Sequence, residues 1–179
     1  MKQIFTLLML ITALFSSAQK RSYVQIGPAA YIHTSGGTGL LGGAIGAGSS
    51  IGYAGAGINV ELLSRNKQFI LPVYADVRFY FSSKTTSAYV TLQPGYNFRN
   101  SQEPIKPYAT TKDKGGLYLG AGVGYFAFSD RSTGINLQVK YIFLQDRFLS
   151  TSVLSDNYLR KQVLNTHEGF ISLGAFVVF

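Results

Sequence analysis

The chain has 179 residues, with 16 Lys and Arg against 8 Asp and Glu for a formal net charge of +8, no Cys, and heavy use of Gly (20), Tyr (12) and Phe (13). This length fits one domain, and the absence of Cys excludes a disulfide framework and a thiolate metal site. The basic balance is read either as solubility and loop charge or as contact with an anionic surface.

Met1-Lys2-Gln3 is a short basic start, Ile4 to Phe15 is an apolar run, and Ser16-Ser17-Ala18 places small residues before Gln19. These are the three parts of a secretory signal peptide. The run is far short of the roughly 20 residues a spanning helix needs. No Cys follows it for lipid attachment. The expected organisation is therefore a leader over 1–18 and one domain over 19–179. Loss of Lys2 lowers the charge from +8 to +7. Export makes nucleic acid an unsuitable partner despite that charge.

No later stretch approaches a transmembrane helix, whereas period-two alternation recurs throughout. Tyr23–Thr34 sets Val24, Ile26, Ala30 and Ile32 against Gln25, Gly27, Ala29, Tyr31 and His33. Leu40–Ser49 is a second strand whose Gly and Ala content leaves the register open, and Tyr53–Leu63 is a third. Phe69–Phe81 is the clearest, with Leu71, Val73, Ala75, Val77 and Phe79 opposing Pro72, Tyr74, Asp76, Arg78 and Tyr80. Ser87–Arg99, Gly116–Phe128, Gly134–Gln145 and His167–Phe179 complete about eight strands, an even number as bacterial membrane barrels have.

Connections alternate in length. Ser35–Gly39, Ser64–Gln68, Asn100–Gly115 and Asp146–Thr166 are longer, whereas Ser49–Gly52, Ser82–Thr86 and Ser129–Thr133 are tight. An up-and-down barrel with short periplasmic turns and longer outer loops has this pattern. One strand face is apolar and aromatic. The other holds Glu61, Asp76, Arg78, Gln93, Asn97, Arg99, Gln138 and Lys140. In a membrane barrel the polar face points inward, so Glu61, Asp76, Arg78, Gln93, Arg99, Gln138 and Lys140 are expected to form a paired interior network. Tyr23, Phe69, Phe81, Phe98, Phe143 and Phe179 stand near strand ends and are expected in the interfacial belts. A soluble sandwich or lipocalin-like barrel would show the same alternation.

Little in the chain points to catalysis. His33 and His167 lack the three or four converging ligands a metal needs. The glycine-rich runs Gly43–Gly48 and Gly120–Gly124 lack dinucleotide-binding spacing and a following helix. His33-Thr34-Ser35 pairs a His with a Ser, as some barrel enzymes that deacylate lipid A do, but Gly36 stands where that family has Asn, and no acid is clearly placed beside it. No catalytic residue, metal or cofactor is expected.

Ser172-x-Gly174-x-x-Val177-x-Phe179 resembles the C-terminal sorting signal of Gram-negative outer-membrane barrels. Together with Leu71–Phe81 and Gly116–Tyr125, it makes the mature chain similar to the OmpA-like and OmpX-like outer-membrane β-barrel proteins. The resemblance implies an all-β transmembrane barrel integral to the outer membrane, surrounded by lipid and lipopolysaccharide and inserted by the barrel assembly machinery. Fold does not fix activity. The expected role is structural or surface-interacting, through a ligand at Asn100–Gly115 or Asp146–Thr166. The alternatives are a narrow porin-like conduit for small solutes, left open by inward Gly120, Gly122 and Gly124, and a lipid A-modifying enzyme.

Overall fold

A computed structural model describes residues 20–65, 68–82, 86–100, 109–113, 115–128, 133–153 and 159–179. The expected leader lies outside these residues, as do parts of the two longest expected loops. Strands β1 (Lys20–His33), β2 (Leu40–Ile51), β3 (Ala54–Arg65), β4 (Gln68–Tyr80) and β5 (Ser87–Asn100) follow one another. They are succeeded by β6 (Ala109–Asp113), β7 (Gly116–Phe128), β8 (Gly134–Val153) and β9 (Leu159–Val178). All pairings are antiparallel, and β9 returns to β1 to close the sheet. Among the described residues no helix is long and apolar enough to cross a membrane.

The ladders fix the shape of the barrel. From Ser22 the partners run through Ser49, Ala56, Val77, Leu92, Ala121, Tyr141 and Ile171 back to Ile32, ten positions further along β1. A stagger of ten over eight strands tilts them by roughly 40°. On one sheet side Phe69 and Phe81 then bracket about 40 Å of strand, which rises about 30 Å at that tilt, the thickness of a bilayer's hydrocarbon core.

Two expected boundaries are corrected. Asp146–Thr166 is not a loop over its length: the β8–β9 ladder continues unbroken from Gly134↔Val178 to Val153↔Leu159. Outside lipid a strand need not alternate apolar with polar, so its polar residues conceal it from a periodicity search. Asn100–Gly115 contains β6, which pairs with β8 over Ala109↔Ser152 to Asp113↔Phe148. β6 is the outward continuation of β7. Five steps from Asp113 to Tyr118 match four from Phe148 to Leu144, a one-residue bulge. Gly115 sits in that bulge with φ 66°, a conformation that favours glycine. The barrel thus has eight staves, one of them broken into β6 and β7.

Polarity is inverted relative to a soluble protein. Val139 is 48% exposed and Lys140, the next residue, 1%. Exposed Ile26, Ile58, Leu92, Val123, Leu137 and Leu173 continue the apolar wall around the sheet. Phe69, Phe81, Phe98 and Phe179 are exposed on that wall, and Phe143 stacks on His167 with ring centroids 5.4 Å apart. Tyr23 is a correction: it is buried inside, with the Arg78 guanidinium 4.7 Å over its ring. Its parity follows Gln25, and proximity to a strand end does not override parity.

The space inside the inward glycines is filled from the neighbouring strands. A Cβ at Gly124 would lie 2.3 Å from the Tyr89 ring, one at Gly122 would lie 3.0 Å from the Lys140 side chain, and one at Gly120 would meet Gln93 at 3.1 Å. Glycine on one strand makes room for a large side chain on its neighbour, so these positions are not gaps. Gly124→Val should therefore destabilise the barrel by roughly 1–3 kcal/mol through overpacking. The outward Ala121→Val should stay within about 0.5 kcal/mol. Urea titration followed by the folded-to-unfolded gel shift would distinguish them, and equal midpoints would contradict the packing account.

Candidate functional site in the barrel interior

Inward parity brings polar side chains from five strands to one axis. Asp76 on β4 accepts from Arg78 Nε at 2.9 Å and Nη2 at 2.6 Å, from Asn59 Nδ2 at 3.2 Å, from Gln93 Nε2 at 3.2 Å and from the Thr91 hydroxyl. Arg78 Nη2 also donates to Gln25 Oε1 at 2.9 Å, and Asn136 Nδ2 donates to the same oxygen at 2.8 Å. The Tyr89 hydroxyl donates to Asn136 Oδ1 and accepts from Gln138 Nε2, each at 2.6 Å. Tyr23 and Tyr89 both lie against the guanidinium, at 4.7 and 5.0 Å from their ring centres. The adjacent positions Asp76 and Arg78, two apart on one strand, can meet because both point inward.

A second charged pair lies further toward the outer mouth. Lys140 Nζ donates to Glu61 Oε1 at 3.1 Å, and both side chains are fully buried. The Tyr31 and Tyr74 hydroxyls donate to the two Glu61 oxygens. Tyr74 stacks on Tyr118 with centroids 4.6 Å apart, and the Tyr118 hydroxyl reaches Gln93 Oε1 at 3.4 Å, linking the two networks. Each buried carboxylate thus has a cation and several donors, the condition under which a buried charge is tolerated.

Apolar layers bound these networks. Leu40, Leu63, Ile70, Ile142, Leu144 and Phe170 pack with Tyr31, Tyr74 and Tyr118 on the outer side. Phe126 and Val178 pack with Tyr23 and Tyr89 on the periplasmic side. The arrangement braces the wall from within and has no nucleophile paired with a base. Among the described residues no three His, Cys, Asp or Glu converge to hold a metal. The His33–Ser35 couple is a local turn contact: Ser35 Oγ lies 2.9 Å from His33 Nδ1, and the His33 ring packs edge-on to Phe170 at 4.9 Å.

The structure gathers Glu61 with Lys140, and Asp76 with Arg78 and Gln93, and it sets Gln138 beside Tyr89. Arg99 is half-buried at the outer mouth, two residues beyond buried Asn97. Ser172 and Gly174 face inward on β9, while Val177 and Phe179 are exposed on the wall. Sequence reasoning omitted Gln25, Asn59, Thr91 and Asn136 and the tyrosines Tyr31, Tyr74, Tyr89 and Tyr118 from the network. Parity could have found Gln25, Tyr31 and Tyr74, which alternate with apolar residues in their own strands. The tyrosine hydroxyls supply donors that a buried carboxylate needs, which their aromatic character conceals in the sequence.

No protein-family model matches the sequence, and no curated protein is significantly similar to it. Solved structures do resemble the fold. The outer membrane protein OprG from Pseudomonas aeruginosa superposes with a TM-score of 0.63 at 11% identity, over 90% of this chain and 96% of that one. Neisserial surface protein A gives 0.58 at 15% identity, over 90% and 99%. The outer membrane protein AlkL gives 0.55 at 14% identity, over 90% of each. The fold is that of the small outer-membrane β-barrels, and the apolar wall with its buried charged interior makes this chain an integral membrane barrel of that type.

Lys140→Met alone should cost roughly 3–5 kcal/mol, because it leaves Glu61 charged and buried without its cation. Combining it with Glu61→Gln should recover at least half of that loss. A double-mutant cycle from urea gel-shift titrations measures the coupling, and additive effects would show that the pair does not interact in the folded barrel.

Proposed function

We propose that this outer-membrane barrel has a structural or surface-interaction role, carried by the parts that project outward, and is not an enzyme. The observation that carries the reading is the division of the chain into a braced barrel and a projecting sheet. The interior is occupied by large, fully buried side chains, among them Arg78, Lys140, Tyr31, Tyr89, Tyr118 and Phe170. β8 and β9 meanwhile run nine residue pairs beyond Leu144↔Glu168, with β6 beside them. Ordered chain outside the bilayer adds nothing to spanning it, so its use lies at the cell surface. Among the described residues the edges of this sheet have no further strand beside them, and such edges offer backbone groups to another chain.

The filled interior favours this reading over a narrow solute conduit. The turn-bound contact between His33 and Ser35 favours it over a lipid A-modifying enzyme. Affiliation with OmpA-like barrels belongs to the same proposal. So do its partners: outer-membrane lipid and lipopolysaccharide around the wall, the barrel assembly machinery reading the β9 positions Ser172, Gly174, Val177 and Phe179, and a ligand at the outer surface.

Cell fractionation should recover the protein in the outer membrane, with heat-modifiable migration and with protease cleavage of the projecting hairpin in intact cells. Planar bilayers should show no steady unit conductance, and His33→Ala should leave glycolipid acylation unchanged. Recovery in the soluble periplasm would sink the proposal. Reproducible channel steps would replace it with the conduit.

A further inference from the structure

Two buried donors at the periplasmic end of the interior have no acceptor in the protein. Arg78 is fully buried, and its guanidinium has five N–H groups. Nε and one hydrogen of Nη2 go to Asp76, and the other hydrogen of Nη2 goes to Gln25 Oε1. Nη1, with its two hydrogens, bonds to nothing. The Tyr23 hydroxyl, on a side chain only 5% exposed, likewise has no partner. The ring that carries it lies against the same guanidinium, with Cζ of Arg78 4.7 Å from the ring centre.

Register brings the two groups together. Tyr23, Gly48, Gly57 and Asp76 are successive partners along one row across β1, β2, β3 and β4. The two glycines leave that row clear, and the Tyr23 side chain lies over both: a Cβ at Gly48 would stand 2.5 Å from its hydroxyl, and one at Gly57 3.0 Å. The phenol thus reaches from β1 to the strand beside Arg78. Tyr89 also lies against the guanidinium, and Phe126 and Val178 complete the layer, with Tyr80 packed on it. Phe81, three residues beyond Arg78, is 70% exposed at the periplasmic rim, which sets the site about 10 Å of strand inside the mouth.

The unmet groups are all donors. Gln25 Oε1 already accepts from Arg78 and Asn136, Asn136 Oδ1 accepts from Tyr89, and Asp76 accepts from Arg78, Asn59, Thr91 and Gln93. A water molecule could accept from Nη1 and the hydroxyl but would have its own two hydrogens to place. An anion accepts from every side and has no hydrogen to place. Its charge is favoured by the guanidinium, because Asn59, Thr91 and Gln93 share in neutralising Asp76.

We propose that the periplasmic end of the barrel interior binds one monatomic, monovalent anion of the halide class, held by Arg78 Nη1 and the Tyr23 hydroxyl. The bound ion links β4 to β1. Tyr23 precedes Val24, whose bonds to Phe179 close the sheet, so the ion stiffens the closure at that end. The site lies in the barrel interior and stands or falls without the surface role.

The full chain, folded in detergent micelles, would be crystallised from bromide and the ion located by its anomalous scattering. Affinity in solution would be read from the urea midpoint of the folded-to-unfolded gel shift across a bromide series, with isethionate holding the ionic strength constant. The wild type should show an anomalous peak within hydrogen-bond distance of Arg78 Nη1 and the Tyr23 hydroxyl, together with a saturable rise in midpoint. Tyr23→Phe removes only the hydroxyl and should weaken affinity about tenfold. Arg78→Lys keeps the charge, removes Nη1 and should abolish saturation. Tyr118→Phe removes a buried hydroxyl from the Gln93 contact and should leave affinity unchanged. Heat-modifiable migration checks the fold of each variant, and Tyr23→Phe decides the test if Arg78→Lys does not fold. The proposal is overturned by an ordered water without anomalous signal at the site, by binding at crystal concentration only, or by equal affinity in Tyr23→Phe and wild type.

Discussion

A backbone that crosses lipid has no water to satisfy its N–H and C=O groups, so each must find a partner within the protein. β1 pairs with β9 from His33↔Phe170 to Gln25↔Val178, and further bonds join Val24 to Phe179 at the periplasmic end. That seam removes the two edges a sheet would otherwise expose to hydrocarbon. Every other feature of the molecule is shaped by this closure. The stagger needed to close eight staves sets the tilt, the tilt sets the height of the wall, and closure leaves one narrow interior for the inward half of the side chains.

That interior has a fixed radius, and the residues inside it must share the space. Gly46 faces the Asn59 side chain, Gly48 faces the Tyr23 hydroxyl and Gly124 faces the Tyr89 ring, so small and large positions complement one another across neighbouring strands. Apolar residues alone could fill the volume. The chain instead places Glu61, Asp76, Arg78 and Lys140 there and neutralises them in pairs. Charge on the inward parity commits each strand to one register, because a slip by one residue would turn those four side chains into lipid. The cost of that error is several kcal/mol for a charge near the midplane. The polar interior thus specifies which way round the sheet closes, in addition to bracing it.

Beyond the membrane these constraints lapse. β8 and β9 keep their hydrogen-bonded ladder to Val153↔Leu159, but apolar residues no longer alternate along them. The one-residue bulge before Gly116 marks the change: β7 belongs to the closed wall, and β6 follows β8 out of it, paired with β8. The barrel is the membrane-spanning part of the molecule, and the β8–β9 ladder extends beyond it with β6 alongside.

Within the bilayer the sequence by itself determined the strands, their parity and the class of barrel, since lipid on one side and a filled interior on the other impose a period of two that Leu71–Phe81 or Gly134–Gln145 displays directly. It also carried most of the interior residues, because Glu61, Asp76, Arg78 and Lys140 each alternate with apolar neighbours. Only the tertiary structure decided which of them meet. Glu61 and Lys140 are 79 residues apart and Gln25 and Asn136 are 111 apart, and a stagger summed over eight ladders determines whether they share a level. The same is true of Tyr23, which proximity to a strand end placed in a belt and parity placed beneath Arg78. The projecting hairpin was hidden for the opposite reason. A strand in water needs no apolar face, so its only signature is the hydrogen-bonded partner across from it, which no local stretch of sequence contains.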